Sequence, residues 1–280
     1  MKITMVVVLY KLKPEESKTF MTLKQTLFSN KEYLNDFELI LYDNSPESHV
    51  FDSHNYKGIH LSYHHDPRNL GIVTAYNYAW ECAKRNGSQW LLLLDHDTEI
   101  TASYVNEITN LPEFEIEVAG IVPKINSGNT MISPMYSNTL RPLQGARPIE
   151  GIQEQPITAI NSGALIRVSF LNEIGGFNTT FSLDFLDHWL FFEIYAKGYK
   201  VMVFDVSLEH ELSVMDYSNV SLNRYKSIIE SERNFYQKYK RDLFSQYRLQ
   251  LAKRFFKQML TVKNKKIAFY TLSIMFRINK

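Results

Sequence analysis

A single cysteine, Cys82, among 280 residues rules out a disulfide framework within the chain. Its place in an apparent helix suits a reduced, buried thiol. No run approaches the roughly 18 apolar residues that suggest a membrane-spanning helix. The longest late stretch, residues 267–276, is far shorter. The opening run Ile3 to Leu9 is too short for a signal-peptide core and reads as a first strand. The expected location is therefore cytoplasmic, peripheral to the inner face of the membrane if the tail binds lipid. Repeats and low-complexity segments are absent. Net charge is also small, at +1, but it is unevenly spread. From Arg224 onward there are 15 Lys and Arg against 3 Asp and Glu, a net of +12, while the preceding residues carry a net of −11. Such asymmetry implies an electrostatic partner for the tail.

The composition, 45% hydrophobic and 22% charged, is that of an ordinary globular protein. Its length allows one large domain with an extension. The β-branched run Ile3 to Leu9 predicts a strand. Pro14 and Glu15 open a predicted helix to about Phe28, with proline in the first turn where its missing N–H costs nothing. Phe37 to Tyr42 and the weaker Gly58 to His64 predict the next strands, and a helix is expected from about Val73 to Lys84. Trp90 to Leu94 predicts a strand buried on both faces. This alternation implies βαβ units and a mostly parallel sheet flanked by helices. After the strand Val118 to Val122, residues 123–156 hold five of the nine prolines and read as a long loop with a hairpin. Ile157 to Arg167 returns as a strand interrupted at Asn161-Ser162-Gly163. Leu183 to Ala196 predicts a helix, Lys200 to Phe204 a strand, and the chain from about Ser221 reads as helices.

Polar residues follow several strand ends, where ligands bind in open α/β sheets. Asp95 and Asp97 follow the strand Trp90 to Leu94. Two carboxylates this close repel unless a cation lies beside them, and oxygen donors suit Mg²⁺ or Mn²⁺. The plainer reading makes Asp95 a strand end and Asp97 the cap of a helix starting near Ala102. Tyr10 follows the first strand. Asp43 follows the second, as an acceptor for a pyrimidine imide N–H or as the pivot of an Asx-turn with Asn44 and Ser45. Asn69 and Gly71 start a helix, either as an anion site or as an ordinary N-cap. Asp184 and Asp187 lie three apart near a helix start, which suits either capping or a general base. His210 could be a third metal ligand or a structural histidine.

In order and spacing, these pieces resemble a GT-A-fold glycosyltransferase of family 2. The matching features are VVVLY, the Asp43-Asn44-Ser45 turn, Asn69-Leu70-Gly71, LLLLDHD, Asn161-Ser162-Gly163, Gly175-Gly176-Phe177, Asp184 to Trp189, and His210 to Ser213. The resemblance implies a catalytic domain over residues 1–215 and a basic helical extension over 216–280. It also implies an inverting transferase using a nucleotide-diphospho-sugar and Mg²⁺ or Mn²⁺, with a glycan or lipid-linked saccharide as acceptor. Asp43 would hold the base. Asp95 and Asp97 would bind ribose and the metal-bridged diphosphate, with His210 as third ligand. Asp187 would be the catalytic base, with Asp184 as the alternative. Two positions depart from the family pattern: Ile72 follows Gly71 where a second glycine is common, and Trp189 replaces an acidic residue. The Asp-His-Asp motif and the Arg233-Asn234 pair resemble bacterial rhamnosyltransferases that use dTDP-rhamnose in surface polysaccharide synthesis. A UDP-hexose is the other donor considered.

In the tail, Leu251, Phe255, Phe256, Met259 and Leu260 beside Lys253, Arg254 and Lys257 predict an interfacial helix for an anionic membrane. A cap packed on the catalytic domain is the alternative, and no motif supports nucleic acid. Two other functions share parts of this pattern. A sugar-nucleotide nucleotidyltransferase is disfavoured because Tyr10 to Pro14 lacks glycine. A non-catalytic glycan-binding relative could lose the aspartates that this chain retains.

Overall fold

The computed structural model describes every residue except 54, 55, 57, 129, 141–144, 210–219 and 278–280. Among the described residues a nine-stranded sheet forms the centre. Strands β1 (Ile3–Leu9), β2 (Phe37–Asp43), β3 (His60–His65) and β4 (Trp90–Asp95) pair in parallel in the order β3-β2-β1-β4. Helices α1 (Lys18–Thr26), α2 (Ile72–Asn86) and α3 (Ala102–Thr109) are interleaved with them. The predicted first helix is in fact a 3-10 turn, Pro14–Glu16, followed by α1. Ser17 separates them because its hydroxyl caps α1 by accepting from the Phe20 amide.

The sheet continues through β5 (Val118–Ser127), β10 (Ala164–Arg167) and β11 (Lys200–Glu209). β10 is inserted antiparallel between β4 and β5, whereas β11 runs parallel to β5. The proline-rich stretch holds more structure than a loop. β6 (Thr130–Ser133) folds back on β5, and β8 (Gly151–Gln153) edges the sheet beside β11. β7 (Met135–Tyr136) and β9 (Ile157–Thr158) make a separate two-stranded ribbon. Helix α4 (Val168–Ile174), not foreseen from sequence, follows β10, and α5 (Leu186–Ala196) precedes β11.

β4 is covered on both faces, as its unbroken apolar run requires. Leu91 and Leu93 join the core beneath α2 and α5, while Leu92 and Leu94 join the core beneath α1 and α3. Cys82 is half-buried rather than buried, and its sulfur accepts from Arg85.

The C-terminal helices are α6 (Leu222–Lys238), α7 (Phe244–Thr261) and α8 (Lys265–Phe276). Tyr225, Phe235, Tyr247 and Ile274 belong to the same core as Val6 and Leu91, so the extension has no separate core. Inside it, the Arg254 guanidinium makes a two-pronged contact with the Glu232 carboxylate, at 2.6 and 2.8 Å. Burial works against the Arg254 charge, but Glu232 more than offsets it and raises the pKa. Removing one partner of a buried pair strands the other and costs about 3–5 kcal/mol. Glu232→Ala should therefore lower the urea unfolding midpoint sharply. The double change with Arg254→Met should recover most of that loss. Equal stability of the single variant and the parent would show that the pair does not hold α6 to α7.

Candidate active site

β4 leaves the sheet at Asp95, and its backbone polar groups then need new partners. Neighbouring hydroxyls supply them. The Asp95 amide donates to Ser162 Oγ at 2.9 Å. Thr19 Oγ1 shares its proton between the carbonyls of Asp95 and Thr98, at 2.5 and 2.8 Å, and accepts from the Thr98 amide at 2.9 Å. Ser17 Oγ donates to the His96 carbonyl at 2.8 Å, as does the Thr19 amide at 3.2 Å. Ser162 Oγ and Thr98 Oγ1 lie 2.7 Å apart. The loop carrying Asp95 and Asp97 is thus fixed from two sides, by the start of α1 and by the turn before β10. Both aspartates are half-buried. The cap of α3 is Thr101, whose hydroxyl accepts from the Tyr104 amide, so Asp97 is not needed for that role.

The strand register brings the other candidates to the same edge. Val8 pairs with Asp95, and Leu9 pairs with Asp43. Asp43 is fully buried. Its Oδ1 accepts from the Ser45 amide at 2.8 Å, which forms the Asx-turn, and its Oδ2 accepts from the Tyr63 hydroxyl at 2.6 Å. Burial and this bond raise the Tyr63 pKa. Tyr10 is exposed, and the next residue, Lys11, adopts a left-handed φ of 54° and donates its amide to Ser45 Oγ at 2.7 Å.

Of the two readings for Asn69 and Gly71, the ordinary cap at Asn69 is not what the structure has. Asn69 is not the N-cap of α2. That position is Gly71, with φ 90° and no side-chain cap bond. A Cβ on Gly71 would sit 2.1 Å from the Ser182 carbonyl oxygen, and the Val73 amide donates to that same oxygen at 3.2 Å. One amide of the helix N-terminus is therefore met by protein backbone, and glycine is required by that close approach.

Ser182 leads to the aspartate pair, which the structure separates. Helix α5 begins at Leu186, so Asp184 lies before it and the two carboxylates do not share a helical face. Between them Phe185 holds a left-handed φ of 64°, a costly conformation for a bulky residue. Asp184 is engaged by both terminal nitrogens of Arg224 on α6 and weakly by Ser227 Oγ at 3.4 Å. It ties α6 to the catalytic part. Asp187 lies in the first turn of α5, and its Oδ1 accepts from the His188 amide at 2.8 Å.

Tyr76 relates Asp187 to Asp95. This residue of α2 is fully buried, and its hydroxyl has no hydrogen-bond partner among the described residues. Its pKa is raised well above the usual value, first by burial and then by the negative charges of Asp95 and Asp187. The charges of both carboxylates are thus felt at one buried hydroxyl.

His210 lies outside the described residues. Among the described residues, no three His, Cys, Asp or Glu side chains cluster to hold a metal. The donors at the edge, Asp95 and Asp97, still fit a hard cation, since Mg²⁺ is commonly held by one or two carboxylates with substrate phosphates completing the shell.

Sequence reasoning missed Ser17, Thr19 and Thr98, whose only signal was the density of small hydroxyl residues near strand ends. It also missed Tyr76, which carries no motif beyond its place on the buried face of α2.

The family model described as Glycosyl transferase family 2 matches residues 19–175. Among solved structures, S. aureus TarS 1-349 in complex with UDP-GlcNAc aligns with a TM-score of 0.53 and 15% identity, covering 100% of this chain and 82% of that one. The same TarS fragment without a named ligand aligns at 0.52 and 14%, covering 99% and 89%. The mannosyltransferase PcManGT from Pyrobaculum calidifontis, in complex with GDP-Man and Mn²⁺, aligns at 0.53 and 14%, covering 99% and 86%. At such identities these likenesses establish the GT-A fold alone. No curated protein matches the chain.

Ser162→Ala tests the wiring of the aspartate loop. The Asp95 amide would lose its acceptor, and an unmet buried donor costs about 1–3 kcal/mol. The variant should lose thermal stability by that order and bind nucleoside diphosphate with Mn²⁺ more weakly, although no direct ligand contact is assigned to Ser162. Unchanged stability and affinity would mean the loop holds its shape without this hydroxyl.

Proposed function

The chain belongs to glycosyl transferase family 2, and from that premise we propose an inverting transfer from a nucleotide-diphospho-sugar to a hydroxyl of a glycan or lipid-linked saccharide, with Asp187 as general base. The observation that carries this reading is the aspartate loop at the carboxyl end of β4, held by Thr19 and Ser162, in a chain that the family model matches over residues 19–175. Asp187 takes the proton from the acceptor hydroxyl as its oxygen attacks the anomeric carbon. The bond from that carbon to the diphosphate oxygen breaks on the opposite face, so configuration inverts and no covalent enzyme intermediate forms. Asp95 and Asp97 hold the ribose and diphosphate end. Asp43 is assigned to the nucleobase, through carboxylate lone pairs beyond the two it already uses. Tyr10, exposed beside it, flanks the same subsite.

A Mg²⁺ or Mn²⁺ ion held by Asp95 and Asp97 would supply positive charge for the departing diphosphate. His210 remains the third ligand implied by the family resemblance. The donor is dTDP-rhamnose, on the resemblance of the Asp-His-Asp motif and the Arg233-Asn234 pair, or else a UDP-hexose. Surface polysaccharide synthesis is the setting that fits either. Asn69 and Gly71 are assigned to shaping the cleft rather than to phosphate binding, because Ser182 already meets the helix start.

The extension also fits an anionic membrane. Leu249, Phe256, Leu260, Phe269 and Phe276 are exposed on α7 and α8, beside exposed Lys253, Lys257, Lys265 and Lys266. Leu251, expected in the same stripe, instead turns into the core. No described helix is long and apolar enough to cross a membrane. Contact at the surface is what this face suits, and each cation near anionic lipid is worth about 1 kcal/mol.

Two measurements test these assignments. Asp187→Asn keeps shape and removes the proton acceptor. Nucleoside-diphosphate release from a panel of nucleotide sugars with Mn²⁺ should fall by about 10²–10⁴-fold, with donor affinity near the parent value. Asp184→Asn should instead lower thermal stability, because Arg224 loses its charged partner, with a far smaller effect on release. A fully active Asp187→Asn protein would sink the general-base assignment. For the membrane, Phe256→Glu with Lys257→Glu should release the protein from phosphatidylserine-containing vesicles in a flotation assay, and high salt should weaken the parent's binding. Binding unchanged in the double variant would refute the lipid contact.

A further inference from the structure

A cavity of about 490 Å³ lies between α5, the β7–β9 ribbon and the C-terminal helices. That volume falls within the usual range for small-molecule sites. Its walls alternate aromatic and polar groups. Phe185, His188 and Phe235 give ring faces, while Ser137, Lys240 and Gln250 bring a hydroxyl, an ammonium and an amide. The rings form one continuous surface. Phe185 and His188 stack with centroids 4.6 Å apart, and Phe235 lies 5.7 Å from Phe185 and 5.5 Å from His188. The Glu232–Arg254 pair closes the wall between α6 and α7, so those two charges satisfy each other.

We propose that this cavity receives a pyranose ring of the acceptor, seated against the aromatic wall with its hydroxyls toward Ser137, Lys240 and Gln250. The inference rests on the transferase reading above and adds the place and chemistry of the second substrate. Its strongest support is the position of the cavity relative to Asp187. Phe185 and His188 flank Asp187 at the start of α5 and both line the cavity. Asp187 itself sits in the first turn of α5, with Oδ1 held by the His188 amide at 2.8 Å. The proposed base therefore stands beside the cavity, between two residues that line it. The left-handed Phe185 contributes its ring to this wall, which gives a use for its backbone strain. A ring with one apolar face and equatorial hydroxyls matches aromatic faces interleaved with hydrogen-bonding groups. A plain acyl chain would leave the polar groups unmet.

The test is saturation-transfer NMR with methyl glycosides of rhamnose, glucose, galactose, mannose and N-acetylglucosamine, in the presence of nucleoside diphosphate and Mn²⁺. Two variants fill the cavity from separate elements, Gln250→Trp on α7 and Ser137→Trp after β7. Neither residue belongs to the catalytic or nucleotide-binding set. At least one glycoside should give ring-proton signals with the parent protein. Those signals should weaken by about tenfold or more in each variant that keeps the parent's thermal stability and nucleotide affinity. Equal signals in parent and stable variants, or no glycoside signal with a nucleotide-binding parent, would overturn the acceptor site. If both tryptophan variants lose stability, Gln250→Ala and Lys240→Ala decide: unchanged signals in both overturn the proposal. A parent that binds no nucleoside diphosphate would instead count against the transferase reading itself.

Discussion

The site depends on how the chain leaves the end of β4. A strand buried on both faces delivers its last residues into a region with no further sheet partner. Each backbone group there must find a donor or acceptor or pay the cost of burial without one. Ser17, Thr19, Thr98 and Ser162 meet that demand around residues 95–98. Each such bond is worth only about 0.5–1.5 kcal/mol net. Their effect is geometric, since they set the direction in which Asp95 and Asp97 project. Ser162 matters most because it precedes β10, the antiparallel strand that separates the two parallel blocks of the sheet. The topology and the aspartate loop are thus joined through one hydroxyl.

The aspartates at residues 184 and 187 illustrate a different constraint. Spacing of three suggests one face of a helix, yet the helix starts after the first of them. Phe185, turned left-handed, divides the pair. Asp184 is directed to Arg224 and fastens the extension, while Asp187 remains in the first turn of α5. Chemically identical side chains three apart in sequence thus have unlike partners, Arg224 for Asp184 and the His188 amide for Asp187.

Much of the architecture was legible from periodicity. The apolar runs Ile3–Leu9, Phe37–Asp43 and Trp90–Asp95 could hardly be other than buried strands, and their order implied the edge where Asp43 and Asp95 meet. The proline-rich stretch was less legible, because strands of two to four residues leave no periodic signal. Asn69 and Gly71 mark a helix start in the sequence, but the need for glycine at 71 comes from the tertiary contact with Ser182, which no local pattern shows. Asp43 was read as a base contact or an Asx-turn. The turn is present, and Tyr63 accounts for the second oxygen. Tyr76 had no local signature at all, since its significance comes from two carboxylates that sequence places far from it.

The extension is a cap packed on the rest of the chain, and helix α7 shows which face is left for the proposed lipid contact. Its Tyr247, Leu251 and Gln258 are buried, with Gln258 bonded to the Tyr225 hydroxyl at 2.9 Å, so one face belongs to the protein core. Its opposite face exposes Leu249, Phe256 and Leu260 among lysines. Between the two faces, Gln250 and Arg254 border the cavity. One helix therefore stands between the proposed lipid contact and the proposed acceptor site, roughly 10 Å of protein thickness. The positive charge concentrated in the tail is then consistent with holding the enzyme where lipid-linked acceptors are found, and the packing of α6 onto Asp184 keeps that surface in fixed relation to Asp187.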